Sequence, residues 1–136
     1  MSNKEQTLSI IKPDAVERDL IEEIKNIFIQ NKLAIKNSKK IQISKDEAAD
    51  FYKVHQSKPF YNDLCSYLSS GPIVVMILEG ENAVSLNRKI MGATDPKNAD
   101  ENTIRKLYGI SIDKNSVHGS DSQTNAEKEI EFFFKN

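Results

Sequence analysis

Six consecutive apolar residues, Ile73-Val74-Val75-Met76-Ile77-Leu78, form the longest such run in the chain, and Ser69-Ser70-Gly71-Pro72 precedes them. A run this short, rich in β-branched residues and entered through a Gly-Pro break, predicts a buried strand at the centre of a sheet. It falls far short of the roughly 20 residues that a membrane-spanning helix requires.

The neighbouring segments supply the rest of that sheet. Thr7 to Lys12 alternates, with Leu8 and Ile10 on one face, and stops at Pro13-Asp14, which predicts a first strand delivering Lys12 into a turn. Leu33, Ile35, Ile41 and Ile43 share one parity, so 33–43 reads as a long second strand whose polar middle, Asn37 to Lys40, suits an edge or a bulge. Leu20, Ile21, Ile24, Ile27 and Phe28 recur at helical spacing between the two strands.

Ser44 and Glu47 form a capping box that opens a helix through Ala48, Phe51, Tyr52 and His55. A shorter helix spans about 60–68, and Asn82 is placed to cap another with Ala83, Leu86 and Ile90 facing inward. After a polar loop at 92–102 come a short helix near Thr103 to Leu107 and a short strand near Val117. The last helix carries Ala126, Ile130 and Phe133 on one face behind a Ser122 cap. This order predicts an α+β fold in one domain, 1–136: a ferredoxin-like two-layer sandwich with a four-stranded antiparallel sheet covered by helices.

Charge and cysteine content narrow the function. With 19 basic and 20 acidic residues the net charge is −1, which argues against general binding of nucleic acid or anionic membrane. The single cysteine, Cys65, excludes an internal disulfide and suits a reducing compartment. The polar start, Met1 to Gln6, shows no signal peptide, so a cytoplasmic protein is expected.

Only two histidines occur, and one, His118, stands in Asn115-Ser116-Val117-His118-Gly119-Ser120-Asp121-Ser122. Imidazole can act as nucleophile, base or ligand, but Cys65, His55 and His118 lack metal-ligand spacing. Glu129 lies three residues after Ala126 and four before Phe133, so a carboxylate shares the inward stripe of the last helix. Such a group needs a partner, and holding the His118 ring is the functional reading.

Lys12, Arg88 and Arg105 are the cationic candidates. There are three arginines, the third being Arg18, against 16 lysines, so an arginine marks a place that needs a planar, multidentate donor. Phe60 could stack on a base. The Walker and G-x-G-x-x-G phosphate loops are absent.

Together these residues resemble one family. Asn115-Ser116-Val117-His118-Gly119-Ser120-Asp121 is similar to the N-x-x-H-G-S-D signature of nucleoside diphosphate kinases. "SIIKPDAV" (9–16), "KPFYNDL" (58–64), "SGPIVVMILEGENAV" (70–84), "NRKIMGATDP" (87–96), "TIRKLYG" (103–109) and "AEKEIEFFF" (126–134) follow in the family's order. The resemblance implies transfer of a γ-phosphoryl group, mainly from ATP, to nucleoside diphosphates by a ping-pong mechanism, maintaining the triphosphate pools.

By the same resemblance His118 takes the phosphoryl group on Nδ1, with Glu129 and Ser120 supporting the ring and Tyr52 approaching the transferred phosphate. Lys12 and Asn115 contact the ribose 3′-hydroxyl and nearby phosphate. Arg88, Thr94 and Arg105 hold phosphates, while Phe60 and Ile112 sandwich the base. Mg2+ rides on the nucleotide phosphates, with Asp121 reaching it through water and no direct protein ligand. Gly119 is expected to keep the phosphate's approach open.

A homo-oligomer is implied, a tetramer or hexamer built from dimers. The departures are Asp19 and Glu22 where many members have glycine, Asn102 in place of the glycine before Thr-Ile-Arg, Leu107 in place of an acidic residue, and an end at Asn136 where relatives run on. A nucleotide-binding module without turnover is the competing reading, since fold alone does not dictate chemistry.

Overall fold

The computed structural model describes residues 4–53, 56–59, 61–111 and 114–134. The apolar run becomes β3 (Ile73–Glu81), an interior strand between β1 (Lys4–Ile11) and β2 (Ala34–Ile41). β4 (Val117–Gly119) flanks β1 on its other side, giving the order β2-β3-β1-β4 with every neighbouring pair antiparallel. β1 and β2 therefore run the same way with β3 inserted between them, which is the split βαβ plan. β2 is an edge strand, and its register shifts between Ile35 and Asn37, at the start of the polar stretch.

Alternation along the strands sorts side chains into two cores. Ile11, Val74, Met76, Leu78 and Val117 face α2 (Ile21–Gln30), α5 (Ala83–Met91) and α6 (Ile104–Tyr108). Leu8, Ile10, Ile73 and Val75 face α3 (Lys45–Phe51), α4 (Tyr61–Leu68) and α7 (Gln123–Phe134). Helices thus cover both faces of the sheet. Each fully buried Leu, Ile or Phe side chain contributes about 1.5–3 kcal/mol relative to exposure. The second core matters most for function, because its helices meet the end of the sheet that carries His118.

Local signals explain most helix starts. Ser44 and Glu47 form the reciprocal capping box, and Ser122 Oγ accepts from the Asn125 amide at 3.1 Å. Thr103 Oγ1 caps α6 through the Lys106 amide at 3.3 Å. Asn82 is a correction: its backbone is left-handed, at φ 50°, and its side chain makes no capping bond. Glu5 Oε1, reaching across from β1, accepts from the Val84 amide instead, at 3.2 Å. Pro13-Asp14 also does more than turn the chain. Proline suits the first helical position, and α1 (Pro13–Glu17) starts there on the Lys12 carbonyl.

Two departures from the family pattern now have a physical explanation. Asp19 and Asn102 adopt φ 61° and 70°, the left-handed region in which glycine rests without strain. Aspartate and asparagine are the side chains best able to replace it there. Glu22 lies in the acidic first turn of α2, where the helix dipole favours it. Leu107 is exposed on α6.

Candidate active site

β4 has three residues, and its register decides what His118 can reach. His118 pairs with Ile10, so its ring lies on the α3/α7 side of the sheet, while Val117 faces the opposite core. His118 Nε2 sits 3.2 Å from Glu129 Oε1, and Ser120 Oγ donates to that same oxygen at 2.8 Å. An ionised carboxylate only accepts, so the arrangement places the ring proton on Nε2 and leaves the lone pair on Nδ1. Both side chains stay about one-fifth exposed, at 22% and 20%.

Residues before the histidine are held under strain. The Val117 amide donates to the Asn115 carbonyl at 2.9 Å across Ser116, whose φ is 76°. An i to i+2 bond with positive φ is the uncommon, strained form of γ-turn. Its restraints come from behind. The Lys12 amide donates to the Ser116 carbonyl at 2.8 Å, and Ser116 Oγ donates to Asp14 Oδ2 at 2.9 Å. Arg18 Nη2 donates to that Asp14 oxygen at 2.9 Å and to the Tyr108 carbonyl at 2.6 Å. The Tyr67 hydroxyl donates to Asp14 Oδ1 and accepts from the Asp14 amide. Burial and the Asp14 carboxylate push the Tyr67 phenol far above its ordinary range, so it remains a donor.

In front of this turn lies a cavity of about 710 Å³ lined by Lys12, Tyr52, Arg88, Thr94, Arg105, Asn115, His118, Asp121 and Glu129. These expected site residues come from the junction of β1 and α1, the C-cap of α3, α5, the 92–102 loop, α6, β4 with the loops on either side of it, and α7. Ser120 sits behind Glu129 instead of lining the cavity. Phe60 and Ile112, expected around a base, and His55 lie outside the described residues.

Positive charge is positioned with care. Lys12 is buried and donates through Nζ to Asn115 Oδ1 at 2.9 Å, and Asn115 Nδ2 donates to the Thr94 carbonyl at 3.0 Å. Arg105 is buried too, donating to the Gly92 carbonyl at 3.1 Å and the Val117 carbonyl at 2.9 Å. Its Nε is buried without a hydrogen-bond partner among the described residues. Burial, then the nearby Arg88, lowers its guanidinium to about 10, so it is still charged at neutral pH. Gly92, at φ 89°, has no room for a side chain, because a Cβ would lie 2.5 Å from Thr103 Oγ1.

Tyr52 is buried, and that burial raises its phenol well above 10, with Cys65 and Glu129 adding to the shift. It can therefore donate a proton in a hydrogen bond but will not ionise. The Asn125 amide, bonded at 2.6 Å, keeps the Asp121 carboxyl below its ordinary value.

Sequence reasoning did not single out every group here. Lys53, Lys58 and Lys128 add cations to the lining, and Phe51 and Phe132 add aromatic wall. Arg18 belonged to the same arginine minority that singled out Arg88 and Arg105, so that signal was available. Gly119 lines the cavity beside His118 and has a second constraint that the sequence does not show. A Cβ there would meet Asn87 Nδ2 at 2.3 Å and Met91 Cε at 2.7 Å, so packing against α5 by itself demands the glycine.

Among the described residues no group of three or more His, Cys, Asp or Glu side chains could hold a metal ion. What the cavity offers is three scattered carboxylates, Asp50, Asp121 and the His118-bonded Glu129, among cations. That donor set fits an ion carried in by phosphate oxygens.

Comparison with known proteins gives one consistent result. The profile of the family described as nucleoside diphosphate kinase matches residues 5–136. A nucleoside diphosphate kinase from a Nitratiruptor species is 60% identical over 130 residues, covering 96% of this chain and 95% of the relative. One from Campylobacter jejuni is 56% identical over 131 residues, with 96% of each covered. The crystal structure of the Aquifex aeolicus nucleoside diphosphate kinase superposes with a TM-score of 0.96 at 40% identity, covering 98% of this chain and 96% of that one. That of the Encephalitozoon cuniculi enzyme gives 0.93 at 38% identity, covering 97% and 90%.

Proposed function

The chain belongs to the nucleoside diphosphate kinase family and catalyses phosphoryl transfer from nucleoside triphosphates to nucleoside diphosphates, and we propose that Nδ1 of His118 carries the phosphoryl group. The observation that supports this most is the bonding of Nε2 and Ser120 to one oxygen of Glu129. It fixes the ring's tautomer and orientation, which a nucleophile acting through its other nitrogen requires.

In the first half-reaction the Nδ1 lone pair forms a bond to the γ-phosphorus. The bond to the β–γ bridging oxygen breaks, its electron pair leaving with the diphosphate. Charge on the three transferred oxygens is opposed by Lys12, Arg88 and Arg105, of which Lys12 and Arg105 are held by hydrogen bonds before substrate arrives. The unpartnered Nε of Arg105 and the protonated Tyr52 hydroxyl are donors suited to phosphate oxygens. Glu129 stabilises the positive charge that develops on the ring as Nδ1 bonds to phosphorus. The second half-reaction reverses these steps onto a different diphosphate, so one site serves both substrates in turn.

Lys12 and Asn115 are assigned to the 3′-hydroxyl, Thr94 to a phosphate, and Phe60 and Ile112 to the base. A divalent cation serves the family's reaction; we assign Mg2+, which would neutralise part of the phosphate charge when bound. Asp121 would reach it through water.

The test is incubation with γ-labelled ATP. Label should attach to the protein, survive alkali, be lost in acid and pass to added GDP. An unlabelled wild type, or undiminished exchange in His118→Ala, would refute the assignment. We also infer a homo-oligomer, tetramer or hexamer, working in the cytoplasm as a single-domain chain. Light scattering should give four or six times the 15.4 kDa of one chain.

A further inference from the structure

We propose that Phe51 and Phe132 form an aromatic wall that positions the His118 ring and shields its phosphorylated form from water. This rests on the reading of His118 as the phosphoryl carrier. Phe51, the last residue of α3, is the hub of the wall. Its ring centroid lies 5.4 Å from that of His118, with the planes at 76°, an edge-to-face contact. Phe51 also meets Tyr52 at 5.1 Å, Phe133 at 5.2 Å and Phe132 at 5.7 Å. Phe132 and Phe133 pack on each other at 4.9 Å.

Phe133 is a buried core residue on the inward stripe of α7, and Tyr52 belongs to the catalytic group. Phe132 has neither explanation. It stands three residues after Glu129, so both project from neighbouring positions on one side of α7. Phe132 is 38% exposed and lines the cation-rich cavity together with Phe51. A large apolar ring at the rim of a phosphate site makes no bond to phosphate. It does cover Phe51, the ring that packs on the imidazole. His118 is thus bounded by the Glu129 carboxylate at Nε2 and by aromatic carbon at the Phe51 contact.

The phosphohistidine of a ping-pong enzyme must survive between substrates. Its wasteful fate is hydrolysis: a water oxygen bonds to phosphorus and the P–Nδ1 bond breaks. The electron pair returns to Nδ1, and inorganic phosphate leaves as the water's surplus proton passes to solvent. Productive transfer differs only in the attacking oxygen, which belongs to the diphosphate. Charged side chains cannot distinguish the two attackers by contact with the phosphoryl group. A wall that removes room for water can, because the diphosphate arrives bound and aligned.

The experiment measures two rates on isolated, labelled full-length enzyme: release of inorganic phosphate without acceptor, and transfer to GDP. In Phe51→Ala the ratio of transfer to hydrolysis should fall about 10-fold or more, and in Phe132→Ala about 3-fold. Phe51→Leu, which restores apolar bulk, should recover most of the shielding. A loss of structure alone would lower both rates together and leave the ratio unmoved. Phe132 is exposed, so its variant decides the matter should Phe51→Ala not fold. Unchanged ratios in the folded variants would overturn the proposal. Failure of the wild type to take label would instead overturn the assignment of His118, and this is seen before any variant is compared.

Discussion

Two carboxylates brace the segment that carries His118, one from the front and one from behind, and they are built differently. Glu129, in front, is about 20% exposed and gives a single oxygen to both His118 and Ser120. Asp14, behind, has a side chain only 4% exposed and spends both oxygens, on Arg18, Ser116 and Tyr67. A carboxylate that must follow charge developing on a ring keeps unused acceptor capacity and access to the cavity. One that must hold a strained backbone turn is saturated and sealed. The same functional group thus serves chemistry in one place and backbone geometry in the other, and the difference lies in how completely it is satisfied.

The largest effect expected from this contrast is in the rear network. Asp14→Ala would leave the Tyr67 hydroxyl and the Ser116 hydroxyl without their acceptor and would remove the carboxylate partner of Arg18. The expected loss is about 3 kcal/mol of folding stability, discounted because Arg18 is 37% exposed. Denaturant titration checks it, and a change below about 1 kcal/mol would mean that Asp14 is not the clamp of the γ-turn. Glu129→Gln should behave in the opposite way. Stability should shift by less than about 1 kcal/mol, while kcat should fall on the order of 10²-fold because the amide, able to turn either its oxygen or its NH2 to the ring, does not enforce one tautomer and carries no charge to balance the imidazolium. Single-turnover labelling of His118 reads that directly. Should the two variants show similar losses of both stability and rate, the distinction between front and rear fails.

The front was far more legible in the sequence than the rear. His118 and Glu129 were found by scarcity and by a carboxylate on an apolar helical stripe, both one-dimensional signals. β3 was equally legible, because a continuous apolar run has few alternatives. Asp14, Arg18, Ser116 and Tyr67 are separated by as many as 102 positions, from Asp14 to Ser116, and only the sheet brings them together. No period or spacing encodes that meeting. α1 was hidden because proline both stops a strand and starts a helix, and Pro13 does both at once. Asn82 misled because the cap of α5 comes from Glu5 in another element.

Gly119 tests the comparison most finely, because it lines the cavity beside His118 and is also constrained by packing against α5. Its missing side chain faces α5, where Asn87 is fully buried and Met91 nearly so. In Gly119→Ala the Met91 thioether can swing aside, but the Asn87 amide is enclosed, so α5 must shift to relieve an approach of 2.3 Å. Overpacking of this kind costs about 1–3 kcal/mol. Arg88 follows Asn87 on α5, so the displacement should pass to this cavity-lining guanidinium. The expected signature is a lower melting temperature with a KM raised a few-fold and kcat nearly kept. A glycine needed for phosphate access would instead lose kcat while keeping its melting temperature. The methyl group would then be blocking the front of the site, and the division drawn here would have to move to the other side of β4.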